Sequence, residues 1–136
     1  MGMYTEVFFR AEITREAADV IEAVSLGVVP EHGYPDHSFF RTPRFGSLFT
    51  TSSAYFPGDN EFRLVRSTED DFARYGSGAE LRSILSFRSS FKNYDDEAEQ
   101  FFEWIDPHVH GCEGDFLGYT LYEEDSQPTL HFKATR

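Results

Sequence analysis

Apolar residues recur along this chain with two different periods, and each change of period marks a new element. Tyr4–Ile13, "YTEVFFRAEI", is rich in aromatic and β-branched residues and predicts a strand. Thr14 follows as a helix N-cap. Glu16 falls in the first turn, where the helix dipole favours an acid. Ala17, Val20, Ile21 and Val24 then fall at i, i+3, i+4 and i+7, the apolar stripe of a helix that Gly27 ends.

Pro30–Gly46 carries three prolines and two glycines and predicts an irregular connection, with Phe39, Phe40 and Phe45 pinning it to the body. Ser47–Phe56 and Glu61–Ser67 predict a hairpin of two strands around the turn "PGDN". The polar stretch 68–80 contains a Gly-Ser-Gly, but without the strand-to-helix setting of a phosphate loop it reads as a plain turn. Glu80–Phe91 predicts a long strand. Leu81, Ser83, Leu85, Phe87, Ser89 and Phe91 share one face, and Arg82, Ile84, Ser86, Arg88 and Ser90 the other.

A second helix is expected over Asn93–Val109. Asn93 or Asp95 caps it, Asp96, Glu97 and Glu99 suit its positive end, and Ala98, Phe101, Phe102, Ile105 and Val109 form its buried stripe. "FLGYTLYEE" and "PTLHFKAT" predict two closing strands. The order β-α-β-β-β-α-β-β implies an α+β fold in one domain, residues 1–136. The expected architecture is a mostly antiparallel sheet of about six strands with both helices on one face, a ferredoxin-like variant.

Composition sharpens this picture. The 136 residues include 15 Phe, 7 Tyr and 1 Trp, so large flat side chains should dominate the core, and disorder is a poor description. Cys112 is the single cysteine, which rules out an intramolecular disulfide and fits a reducing cytoplasm. The N-terminus shows no signal-peptide pattern, and no apolar run reaches the roughly 18 residues of a membrane span. A soluble, cytoplasmic protein is expected.

Charge divides the chain. The net charge is -12, which disfavours generic nucleic-acid binding. From Arg41 to Lys92 there are eight bases against six acids, whereas residues 93–130 hold 11 acids and no Lys or Arg. The long strand therefore carries the positive character. Arg82, Ser86, Arg88 and Ser90 point away from the helices, and Arg63 or Arg66 and Tyr55 join them from the expected hairpin, depending on register. Guanidinium forks, hydroxyls and an aromatic ring are the groups that hold phosphate and stack bases. The acidic half supports a different chemistry. Asp95, Asp96, Glu97, Glu99 and Glu103 offer a negative surface that competes with nucleic acid for a basic groove on a protein.

Catalytic and metal chemistry find little footing. His108, His110, Cys112 and Glu113 lie close together in sequence, but their spacing matches no strong zinc pattern, so a polar turn is expected and no metal or cofactor. No serine lies in a glycine-flanked elbow, and Cys112 sits among acids, the opposite of what thiolate catalysis needs. The chain is not expected to be an enzyme.

Three segments carry a resemblance. "PDHSFF", "SFRSSFKNYDDEAEQFFEWIDPHV" and "GDFLGYTLYEEDSQPTLHF" resemble a group of small acidic proteins of tailed bacteriophages and prophages. The shared pattern maps onto Ser89–Trp104 and Gly114–Leu130 and is weakest over residues 57–80. The resemblance implies a non-enzymatic phage accessory protein and carries no catalytic residues across. Two roles fit such a protein, beside that of a plain virion or replication accessory. One is a homo-oligomeric sponge that sequesters an immune signalling nucleotide in the host cytoplasm through the Arg/Ser face. The other is an acidic inhibitor, a nucleic-acid mimic that blocks a host nuclease or defence effector.

Overall fold

The computed structural model describes residues 4–50, 60–67 and 83–135. Strand β1, Thr5–Ile13, takes the middle of the sheet because both its faces are useful: Val7, Phe9 and Ile13 bury completely, while Phe8 packs on the opposite side. Helix α1, Arg15–Ser25, follows at once. Its N-cap Thr14 accepts the Ala17 N–H, as expected. Gly27, at φ 74°, ends it, with Val28 N–H donating to the Ala23 carbonyl, a Schellman closure.

Strands β2 (Glu61–Arg66) and β3 (Ser83–Phe91), helix α2 (Glu97–Ile105), and strands β4 (Phe116–Tyr122) and β5 (Thr129–Phe132) are the other strands and α-helix among the described residues. The sheet order is β2-β3-β1-β4-β5, with every pairing antiparallel. The fold is thus α+β, an antiparallel sheet with, among the described residues, two α-helices packed against it.

The five described strands are one fewer than the sequence predicts. The difference lies at Ser47–Phe56. Residues Phe45–Phe49 wind into a 3-10 helix, and 51–56 lie outside the described residues. Burial explains the change. The turn drops Leu48 and Phe49 into the core, where the Phe49 ring meets Phe87 at 5.6 Å and Phe101 at 5.7 Å. Tertiary packing here outweighs the strand propensity of the local residues.

Phe101 of α2 is the hub of the core. Its ring meets Phe9, Phe87 and Phe39 edge-on at 5.2, 5.3 and 5.6 Å. Such edge-to-face pairs add about 0.5–1.5 kcal/mol each beyond simple burial. Phe39 and Phe40 belong to this cluster, so the Pro-rich connection is indeed pinned down. Helix α2 begins later than expected, after Asp96 adopts a left-handed φ of 57°. Asn93 still serves it, accepting the Ala98 N–H at 2.9 Å. Pro107 stands where the helix gives way to a 3-10 turn, Asp106–His108.

The C-terminal segment is clasped at that turn. Buried Lys133 donates from Nζ to the Asp106 carbonyl at 2.9 Å, and the Asp106 carboxylate accepts the N–H groups of Ala134 and Thr135. Burial alone would raise the Asp106 carboxyl. The hydrogen bonds from Ala134 and Thr135 and the Lys133 charge outweigh it and hold the group below its ordinary value.

Candidate functional site

Period-two alternation gives β3 its two faces. Ser83, Leu85, Phe87, Ser89 and Phe91 are buried under the helices, and Ile84, Ser86, Arg88 and Ser90 face away. Register then decides what stands beside them. Ser86 pairs with Arg63 of β2 on one side and with Arg10 of β1 on the other. Neighbouring strands lie about 4.8 Å apart. The two arginines therefore flank the Ser86 hydroxyl in one straight rung, their Cα atoms roughly 10 Å apart by that spacing. Both are exposed, and neither makes an ion pair among the described residues.

The next rung is differently built. Arg88 pairs with Glu61 and Phe8, and Phe8 with Tyr119. Arg88 lies 3.6 Å from one Glu6 oxygen and 3.9 Å from Glu61. The other Glu6 oxygen accepts the Tyr119 hydroxyl at 2.6 Å, and the Phe8 and Tyr119 rings stack at 5.5 Å. Burial, then the hydrogen bond to the Glu6 carboxylate and its charge, push the Tyr119 phenol up to about 12. Glu6 is thus held on both oxygens, which fixes Arg88 and Tyr119 relative to one another. The face combines two exposed arginines that have no ion pair among the described residues, a third guanidinium held in place, a serine hydroxyl and an aromatic pair.

Of the residues singled out from sequence, Arg63, Ser86, Arg88 and Ser90 share this face. Arg66 does not. It projects to the helix side and bonds Asp19 at 2.7 Å and Glu22 at 3.3 Å, tying β2 to α1. Arg82 and Tyr55 lie outside the described residues. Sequence reasoning missed Arg10, Glu6, Phe8 and Tyr119. The alternation of "TEVFFRAEI" does place Glu6, Phe8 and Arg10 together, but only the register sets them beside Ser86 and Arg88.

The acidic set is divided as well. Asp96, Glu99 and Glu103 are exposed on or next to α2. Asp95 is bonded to the Arg44 guanidinium, and Glu99 receives the Asn93 amide at 2.9 Å. Glu97 is fully buried, so it stands behind the acidic surface and not on it. Its oxygens take the N–H of Asp95 at 3.0 Å and that of Arg44 at 3.2 Å.

His108 is held by Thr14, with Nδ1 at 3.2 Å from the hydroxyl, and burial lowers its pKa. His131 stacks on Phe102 with ring centroids 3.9 Å apart, a packing role. Among the described residues no group of three or more His, Cys, Asp or Glu side chains is arranged to hold a metal ion. Nor, among them, is any helix long and apolar enough to cross a membrane. Comparison with protein-family models, with curated proteins and with solved structures returned no match.

Proposed function

We propose that the open sheet face binds a phosphate-bearing signalling nucleotide and withdraws it from solution. This is a non-enzymatic role suited to a phage accessory protein that counters host defence in the host cytoplasm. The observation that carries this reading is the Arg63–Ser86–Arg10 rung. Two exposed guanidinium groups on either side of a hydroxyl form a fork-and-hydroxyl arrangement for phosphate oxygens. The Phe8–Tyr119 pair lies two residues further along β1, about 7 Å away at strand rise. That separation is on the scale of a nucleotide's base from its phosphate, and aromatic faces stack bases with little regard to sequence. A homo-oligomer that brings two such faces together would enclose a cyclic di- or trinucleotide. The order β2-β3-β1-β4, with α1 following β1 and α2 following β3, supports a ferredoxin-like variant extended by β5.

The test is a thermal-shift and calorimetric screen of the purified chain against cyclic dinucleotides, cyclic trinucleotides and ADP-ribose-type signals. One class should raise the melting temperature by mass action. The Arg10→Ala/Arg63→Ala pair should abolish that shift while leaving the unliganded melting temperature in place. Binding that survives the double substitution removes the proposed face.

A second reading rests on the exposed acids. Asp96, Glu99 and Glu103 lie in a half of the chain that has no Lys or Arg between residues 93 and 130. These support an acidic inhibitor of a nuclease or defence effector, without Glu97. No ligand response in the screen, together with loss of nuclease inhibition on reversing Glu99 and Glu103, would favour it.

A further inference from the structure

We propose that the groove between α1 and residues 28–35 docks a basic, amphipathic segment of a protein partner. Large exposed apolar side chains gather there. Leu26 is 70% exposed, Val28 53%, Val29 67% and Tyr34 44%. A contiguous patch of this kind on a soluble chain marks an interaction surface more often than a neutral one. Val20 and Ala23 of α1 continue its floor, and the groove encloses about 810 Å³. That volume is within the range of roughly 300–1,000 Å³ of pockets that take a small-molecule ligand, so it is large enough to be occupied.

The walls are fixed before any partner arrives. The Schellman closure at Gly27 turns the chain back sharply, with Val28 held to Ala23 at 3.0 Å. A second tight turn is closed by Gly33 N–H to the Pro30 carbonyl at 2.9 Å, with Gly33 at φ 77° and Pro30 buried. The Tyr34 ring is braced against Phe45 at 5.5 Å and Phe40 at 6.1 Å. Little conformational freedom remains to be lost on binding, which favours affinity.

Charge selects the occupant. Glu16, Asp19 and Glu22 line one lip and Glu31 the other, against Arg15 and His32. Arg66 is shared between Asp19 and Glu22 and leaves the rim negative overall. A second copy of this chain would bring these carboxylates together, and each copy already has a net charge of -12. An anionic bilayer is repelled for the same reason. A segment with Leu or Val on one side and Lys or Arg on its flanks satisfies both the floor and the rim, the helix-in-groove mode of recognition. Helix α1, about 16 Å long at 1.5 Å per residue, matches three turns of such a segment. The groove lies on the helix side of the sheet, opposite Arg10 and Arg63, so this inference stands independently of the nucleotide reading.

The experiment uses the full chain and two labelled amphipathic peptides of about 14 residues, one leucine–lysine and one leucine–glutamate, read by fluorescence anisotropy. The leucine–lysine peptide should bind and the leucine–glutamate peptide should not. Leu26→Ser/Val29→Asp should weaken binding at least roughly ten-fold, and Glu31→Lys should weaken it too, whereas Glu124→Lys in the distant hairpin should leave it unchanged. All four positions are exposed, so the folds persist, and melting temperatures verify it. The proposal falls if the leucine–lysine peptide fails to bind or if the groove variants bind normally. It also falls if Glu124→Lys weakens binding equally, the signature of attraction to net charge alone.

Discussion

Arg44 holds the buried Glu97 carboxylate twice, through its backbone N–H at 3.2 Å and its guanidinium Nε at 3.1 Å. The same guanidinium reaches Asp95 and the Lys92 carbonyl and lies over the Tyr94 ring. One side chain from the Pro-rich connection thus staples the start of α2. An acid that reads in sequence as part of a binding surface is instead a structural anchor.

Loss of Glu97 should therefore be felt in stability. Glu97→Ala leaves the Arg44 and Asp95 N–H groups without their acceptor and should cost about 3 kcal/mol. Glu97→Gln keeps the shape and part of the bonding and should cost about 1–2 kcal/mol. Glu124→Gln, exposed in the β4–β5 hairpin, should stay within about 0.5 kcal/mol. Urea unfolding of the three variants measures this. Equal midpoints for Glu97→Ala and Glu124→Gln would refute the anchor role.

Tyr119 gives the sheet face a signature in alkaline titration. Its phenol is raised from 10.0 to about 12, first by burial and then by the hydrogen bond to Glu6. The folded state favours the protonated phenol. Its support for folding is thus complete below pH 10 and is lost as pH rises from 10 towards about 12. Tyr122 is raised as well, by burial and then by the charges of Glu124 and Glu123, so ultraviolet difference titration should show more than one late tyrosine, and Tyr119→Phe should remove one proton's worth of the step near pH 12. Glu6→Gln should bring Tyr119 back towards the ordinary value. A step near pH 12 of unchanged amplitude in Tyr119→Phe would assign it elsewhere.

Gly118 tests the join between β1 and β4. A Cβ there would lie 1.8 Å from the Phe8 carbonyl oxygen and 2.8 Å from its carbon, with backbone on both counts and no side chain to yield. The position pairs with Phe9, beside an irregularity in β4–β5 pairing between Phe116 and Gly118. Gly118→Ala should destabilise by more than about 2 kcal/mol, whereas Gly46→Ala, whose Cβ would make an ordinary 3.7 Å contact with Val24, should fold normally. Thermal unfolding of the two variants decides it. Equal melting temperatures would show that β1 and β4 can separate without loss.

The faces of this protein were legible in its sequence because they arise from local periodicity. Two-residue alternation sorted Leu85 and Phe87 from Ser86 and Arg88, and the helical stripe placed Ala17 and Ile21 in the core, with no reference to the rest of the chain. Caps were equally local, as Thr14, Gly27 and Asn93 show. What only the tertiary structure decided depends on partners distant in sequence. Arg10 and Arg63 meet across Ser86 through strand register, which no single strand contains. Glu97 is buried because Arg44 arrives from 53 positions away, and Arg66 turns to α1 because Asp19 and Glu22 stand there. Phe49 left the expected strand for the core because Phe87 and Phe101 offered it more burial than a sheet edge would. Periodicity assigns a side chain to a face, but contacts between distant segments choose its neighbours, and the candidate site is made of those neighbours.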